Sequence, residues 1–120
     1  MTTTDSNDTT DCLCLQQGPA AQDIIEERDI GTDKTEGRLA EVTLTRCARC
    51  HRRWLRYFVE YESFSRSGRW CAAVIDETAA ATMTPEAAPA YLAAAPWHIY
   101  GGSYFKNTRH RGNGALYWGT

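Results

Sequence analysis

Hydrophobic and polar residues alternate with a period of two through the middle of the chain, a pattern that predicts antiparallel β-structure. Ala40, Val42 and Leu44 fall on one face of an extended segment, with Glu41, Thr43 and Thr45 on the other. A second strand follows the same rule. Leu55, Tyr57, Val59 and Tyr61 line one face, while Trp54, Phe58 and Phe64 share the other with Arg56, Glu60 and Glu62. Ser65-Arg66-Ser67-Gly68 reads as a turn and Trp70 to Ile75 as a third strand. Upstream, Ile24, Ile25 and Ile30 suit a strand, whereas Glu26, Glu27 and Arg28 suit a helix equally well. The turn-rich stretch from Gly31 to Gly37, followed by the Ala40 strand, favours strand, turn, strand.

The pattern changes from Thr78 to Ala95, which is rich in alanine. Thr84-Pro85-Glu86 reads as a helix start, with Thr as N-cap, Pro at the first helical position and Glu near the positive end of the dipole. Pro89 interrupts a long helix and predicts a restart one turn later; Pro96 marks the end. The tail from Trp97 to Trp118 predicts two or three short strands or an ordered aromatic loop. Its glycines, Gly101 and Gly102, suit a tight turn or bulge and lack the spacing of a phosphate-binding loop. The fold class expected is therefore mainly β (α+β): an antiparallel meander with one short helix between about Thr84 and Ala95.

Length and composition add limits. A chain of 120 residues argues for one domain with a small core. Residues 1 to 11 read as a disordered leader, and 12 to 120 as the folded domain. The first residues carry no basic region and no apolar run, and no segment approaches the apolar length of a membrane span. A cytoplasmic setting is expected, in which cysteines are thiols or metal ligands. The formal charge of -2 conceals an asymmetry. Residues 1 to 45 hold ten acids and three bases, whereas residues 46 to 120 hold five acids and ten bases. The two parts either neutralise each other in one fold or present a basic surface to an acidic partner.

The candidate chemistry lies in the cysteines. Cys47-Ala48-Arg49-Cys50 sits between two strand patterns, and Cys12-Leu13-Cys14 forms a second close pair upstream. Two close thiol pairs joined by a longer spacer suit a tetrahedral four-thiolate zinc site, so Cys12, Cys14, Cys47 and Cys50 are the expected ligands. The stretch from Thr45 to Arg53 resembles the knuckle of the zinc-ribbon proteins. Where that pattern often has Gly after the second cysteine, this chain has His51, a residue type that tolerates left-handed backbone. The first pair also has one intervening residue instead of the commoner two. Cys47 to His51 read as Cys-x-x-Cys-His matches the c-type haem attachment signature too, with Met83 or His98 as distal ligand. A reactive dithiol is the third reading, although a strand follows the pair where a thioredoxin-like context has a helix. Cys71 is expected to be a buried small hydrophobe, and it or His51 is an alternative ligand.

Four thiolates make a closed, structural site, and no grouping of Ser, His and Asp or of paired carboxylates points to catalysis. The expected function is a non-catalytic binding module for a protein partner, for example an immunity-type component. A nucleic-acid-binding zinc ribbon is the alternative, and a thiol redox protein using Cys47 and Cys50 a further one. Arg46, Arg49, Arg52, Arg53 and Arg56 surround the knuckle. Tyr104, Phe105, Lys106, Arg109 and Arg111 form a second basic, aromatic group, the candidate partner-binding surface.

Overall fold

The alternating segments become strands because burial of one face rewards period two. A computed structural model describes residues 23–35, 39–59, 68–102 and 109–114. The leader, Cys12, Cys14, Glu60, Tyr61, Glu62, Phe64, Tyr104, Phe105, Lys106 and the segment 115–118 lie outside the described residues. The strands are β1 (Ile24–Asp33), β2 (Ala40–Cys47), β3 (Arg53–Val59), β4 (Arg69–Val74), β5 (His98–Gly101) and β6 (His110–Gly112). They form a sheet in sequence order with every neighbouring pair antiparallel. The ambiguous segment after Gln22 is thus a strand. No helix among the described residues is long and apolar enough to cross a membrane.

β1 differs from expectation at its far end. It continues through Gly31 to Asp33 instead of turning at Gly31. A register shift between Asp29 and Gly31 absorbs the irregularity, and Gly31 sits at φ +126°. A Cβ there would lie 3.0 Å from Cγ of Pro85, so the glycine also lets the helical connection approach the strand.

That connection runs from β4 to β5 and begins earlier than the alanine pattern implies. Asp76 caps α1 (Glu77–Thr82) by accepting from the Ala79 N–H at 2.7 Å. Thr84 caps a 3-10 turn (Pro85–Ala87), accepting from the Ala87 N–H at 3.3 Å. α2 (Ala88–Ala94) then restarts with Pro89 in its first turn, where its missing N–H has no helical partner to lose. Asp76 gave the missed signal for α1: an Asp followed by Glu, Thr and three alanines.

The helical segments cover one sheet face. Val42, Leu44, Leu55, Val59 and Ala73 are buried there against Ala80, Ala88 and Leu92. Tyr57 and Asp33, both fully buried, belong to the same side, and the Tyr57 hydroxyl donates to Asp33 Oδ2 at 2.5 Å. Asp33 Oδ1 accepts from the Thr35 N–H at 2.9 Å. The Tyr57–Asp33 bond ties β1 to β3 across β2. Removing a donor to a buried carboxylate costs about 1–3 kcal/mol. Tyr57→Phe should therefore lower the urea midpoint with an unchanged slope; a loss below a few tenths of a kcal/mol would deny the bond that role.

Candidate functional site

Cys47 ends β2, and residues 48–50 form the turn into β3. The turn is closed from both sides. The Cys47 N–H donates to the Arg52 carbonyl at 3.0 Å, and the His51 N–H donates to the Cys47 carbonyl at 2.8 Å. His51 adopts φ +66°, a left-handed conformation that glycine takes more readily than a residue with a Cβ. Its carbonyl accepts from Arg46 Nη1 at 2.8 Å, and its side chain is exposed. Cys47 is fully buried and Cys50 is 9% exposed. Both join an apolar cluster with Trp54, Ala72 and Ile99 on the sheet face away from the helices.

The chain enters β1 against this turn. The Ala48 N–H donates to the Asp23 carbonyl at 2.6 Å, Arg49 pairs with Asp23 at 3.3 Å, and Ile24 stands opposite Cys47. Asp23, the first described residue, therefore stands beside the turn that carries the two thiols. Among the described residues, no group of three or more His, Cys, Asp and Glu side chains converges as a metal site. The turn thus supplies two thiols. Cys12 and Cys14, the other expected ligands, lie outside the described residues. One further feature fits a thiolate site: Nε1 of Trp54, buried in the same cluster, has no hydrogen-bond acceptor among the described residues. An indole N–H is a donor that thiolate sulfur accepts.

The knuckle arginines are committed elsewhere. Arg46 pairs with Glu26 at 3.1 Å and Glu77 at 2.9 Å; Arg53 pairs with the same carboxylates at 3.3 and 3.0 Å. This four-charge network joins β1, the hairpin and α1. The basic part of the chain is here neutralised by the acidic N-terminal part and by the helix. Glu26, Arg53 and Glu77 of this network line a groove of about 710 Å³ between β1 and α1. Hydrogen bonds from Arg46, with its charge, hold the Glu26 carboxyl below its ordinary value; those from Arg46 and Arg53 do the same for Glu77.

The sheet face away from the helices carries the second group. Phe58 on β3, Trp70 on β4 and Trp97 ahead of β5 are half-buried there. Arg56 lies over the Phe58 and Trp70 rings at 5.3 and 5.7 Å. Arg109 lies 5.9 Å from the Trp70 ring, and Arg111 lies 4.2 Å from that of Trp97. Trp97 also meets Trp54 edge-on at 5.9 Å. Of the expected partner-binding residues, the structure thus brings Arg109 and Arg111 to an aromatic face; Tyr104, Phe105 and Lys106 are outside the described residues. The rings that these arginines cover, Trp70 and Trp97, were not in the expected set. Period two within a strand could not reveal this, because the β3–β4 register is what sets Trp70 beside Phe58.

The remaining candidates are core residues. His98 is 1% exposed, and its Nδ1 lies 3.1 Å from the Leu92 carbonyl, which only accepts, so Nδ1 carries the proton. Cys71 is fully buried on the helix-covered face, and burial pushes its thiol up to about 12. It is on the opposite face from Cys47, as the β3–β4 register requires. Gly102 sits at φ +118°, where a Cβ would lie 2.5 Å from the Gly68 carbonyl oxygen. That close backbone approach accounts for the glycine without an anion site. Comparison with protein families, curated proteins and solved structures gives no match.

Two outcomes follow from the knuckle and its ion network. Glu26 and Glu77 titrate lower in the folded chain than their ordinary value of 4.5. Their contribution is complete above that value and is lost as pH falls through the lowered one. In urea titrations from about pH 7 to about pH 3, the Glu26→Gln/Glu77→Gln variant should be less stable at neutral pH and converge on the native protein in acid. Parallel curves would deny the network a role. At His51, the left-handed backbone costs about 1 kcal/mol for a residue with a Cβ. His51→Gly should raise the urea midpoint and His51→Val should lower it; the reverse order would exclude the knuckle conformation.

Proposed function

We propose that the protein is a small, non-catalytic binding module for a protein partner, stabilised by one structural zinc ion on Cys12, Cys14, Cys47 and Cys50. The observation that carries this reading is the coincidence of two buried thiols on one tight turn with the start of β1 against that same turn. Cys14 precedes Asp23 by a short segment, well within the reach of an extended chain at about 3.3–3.6 Å per residue. The left-handed His51 and the unaccepted Trp54 N–H support it further. Bound zinc would supply a crosslink between the N-terminal segment and the central hairpin, and four thiolates leave no open coordination position for catalysis. A reducing, cytoplasmic setting suits such thiolates.

A protein is favoured over nucleic acid because the net charge is -2 and the knuckle bases Arg46, Arg49 and Arg53 are paired with carboxylates. The nucleic-acid reading keeps one supporting observation: Arg109 and Arg111 form no ion pair among the described residues.

The test is metal content of the protein purified without added metal, with a Cys12→Ser/Cys14→Ser variant in parallel. The expected result is about one zinc per chain, lost in the variant together with a drop in thermal midpoint. Absence of zinc combined with rapid alkylation of Cys47 and Cys50 at neutral pH would replace this reading with the redox dithiol.

A further inference from the structure

Trp54 lies on β3 and is 1% exposed, yet its Nε1 has no acceptor among the described residues. Buried donors without an acceptor are costly and rare in folded proteins. The β2–β3 register sets Trp54 directly opposite Thr45. Residues opposite each other share a sheet face, and so do residues two apart on one strand. Cys47, two residues beyond Thr45, is therefore the diagonal neighbour of Trp54 on the same face. Diagonal neighbours are about 7–8 Å apart, within reach of an aromatic side chain.

Both residues are buried in one cluster with Cys50, Ala72 and Ile99, against which Trp70, Val74 and Trp97 pack. Ala, Ile and Val side chains have no polar atom, and indoles only donate. Sulfur is thus the one kind of acceptor that the side chains of this cluster hold. Thr45, the polar side chain opposite, does not accept from the indole. The ring is held from the other side as well. Trp97 meets it edge-on at 5.9 Å, and Val74 stands opposite it on β4.

We infer, on the zinc-stabilised reading, that the Trp54 indole N–H donates to Sγ of Cys47 once that sulfur is a metal-bound thiolate, which makes Trp54 a positioning residue of the zinc site. A thiol sulfur is a weak acceptor, whereas the charge of a thiolate strengthens the bond. The apolar surroundings strengthen it further, because little polar matter screens the pair. A donor to a ligand atom fixes that atom's orientation, and losing one typically weakens metal binding about 10–100-fold. Trp54 thereby couples the packing of the sheet face to the affinity of the knuckle for its ion.

The experiment uses the full chain loaded with zinc or with a spin-active cadmium isotope, and the variants Trp54→Phe and Thr45→Val. In the cadmium form, nuclear magnetic resonance should show a coupling between the Trp54 indole proton and the metal, transmitted through the hydrogen bond. The same proton should show an Overhauser contact to the Cys47 β-protons. Competition with a chromophoric chelator should find zinc held about 10–100-fold less tightly by Trp54→Phe and equally tightly by Thr45→Val. The phenyl ring keeps the apolar contacts, so loaded Trp54→Phe should keep native circular dichroism. If that variant does not fold, the coupling and the contact in the native chain decide alone. No coupling to the metal, a contact to Cys50 in place of Cys47, or unchanged zinc affinity in Trp54→Phe would overturn the inference. Each of these outcomes leaves the zinc-stabilised module standing, because the native chain still holds its ion. A native chain without zinc overturns that module and the Trp54 role together, and the metal content tells the two failures apart.

Discussion

Arg46 and Arg53 stand directly opposite each other across the β2–β3 hairpin, one residue inside the turn that carries Cys47 and Cys50. Like charges in that position repel and oppose hairpin closure. Glu26 from β1 and Glu77 from α1 each reach both guanidinium groups and cancel the repulsion. The hairpin register is therefore linked to two elements distant in sequence: the edge strand on one side and the first helix of the connection on the other. Because side-chain direction alternates, a slip of one residue would exchange the two faces of every strand built on this hairpin.

The register divides the sheet into two surfaces with different tasks. One face carries Val42, Leu44, Leu55 and Val59 under the helices, with the Tyr57–Asp33 bond closing its far end. The other carries Trp54, Trp70, Trp97 and the arginines that cover them. The division also sorts the cysteines. Cys71 is buried among apolar neighbours, where desolvation disfavours a thiolate and leaves it inert. Cys47 and Cys50 lie at a turn on the opposite face, where Asp23 is hydrogen-bonded to Ala48 and two sulfurs share one short loop.

The arginines show how much neighbours decide. Ten bases against five acids beyond residue 45 look, in one dimension, like a basic half. In the fold, Arg46, Arg49 and Arg53 meet carboxylates, whereas Arg56, Arg109 and Arg111 lie on aromatic rings. Charge count alone places these six side chains in one class. Their partners separate them into an ion-pair network near the β2–β3 turn and a group on the sheet face away from the helices.

The sequence by itself determined the local order. Alternation in β2 and β3 set their faces, because a half-buried strand requires period two. Thr84, Pro85 and Pro89 marked a capped turn and a helix restart, because proline lacks the N–H of a helix interior. His51 is a residue type that tolerates left-handed backbone, and it adopts φ +66° after the Cys47–Cys50 turn. Only the tertiary structure decided that β1 runs through Gly31, because the bulge there accommodates Pro85 from a distant segment. Only it decided which arginines are spent on ion pairs and which rings stand under the others. Those outcomes depend on strand order and on docking of the helical connection, contacts between residues far apart in the chain that no local pattern encodes.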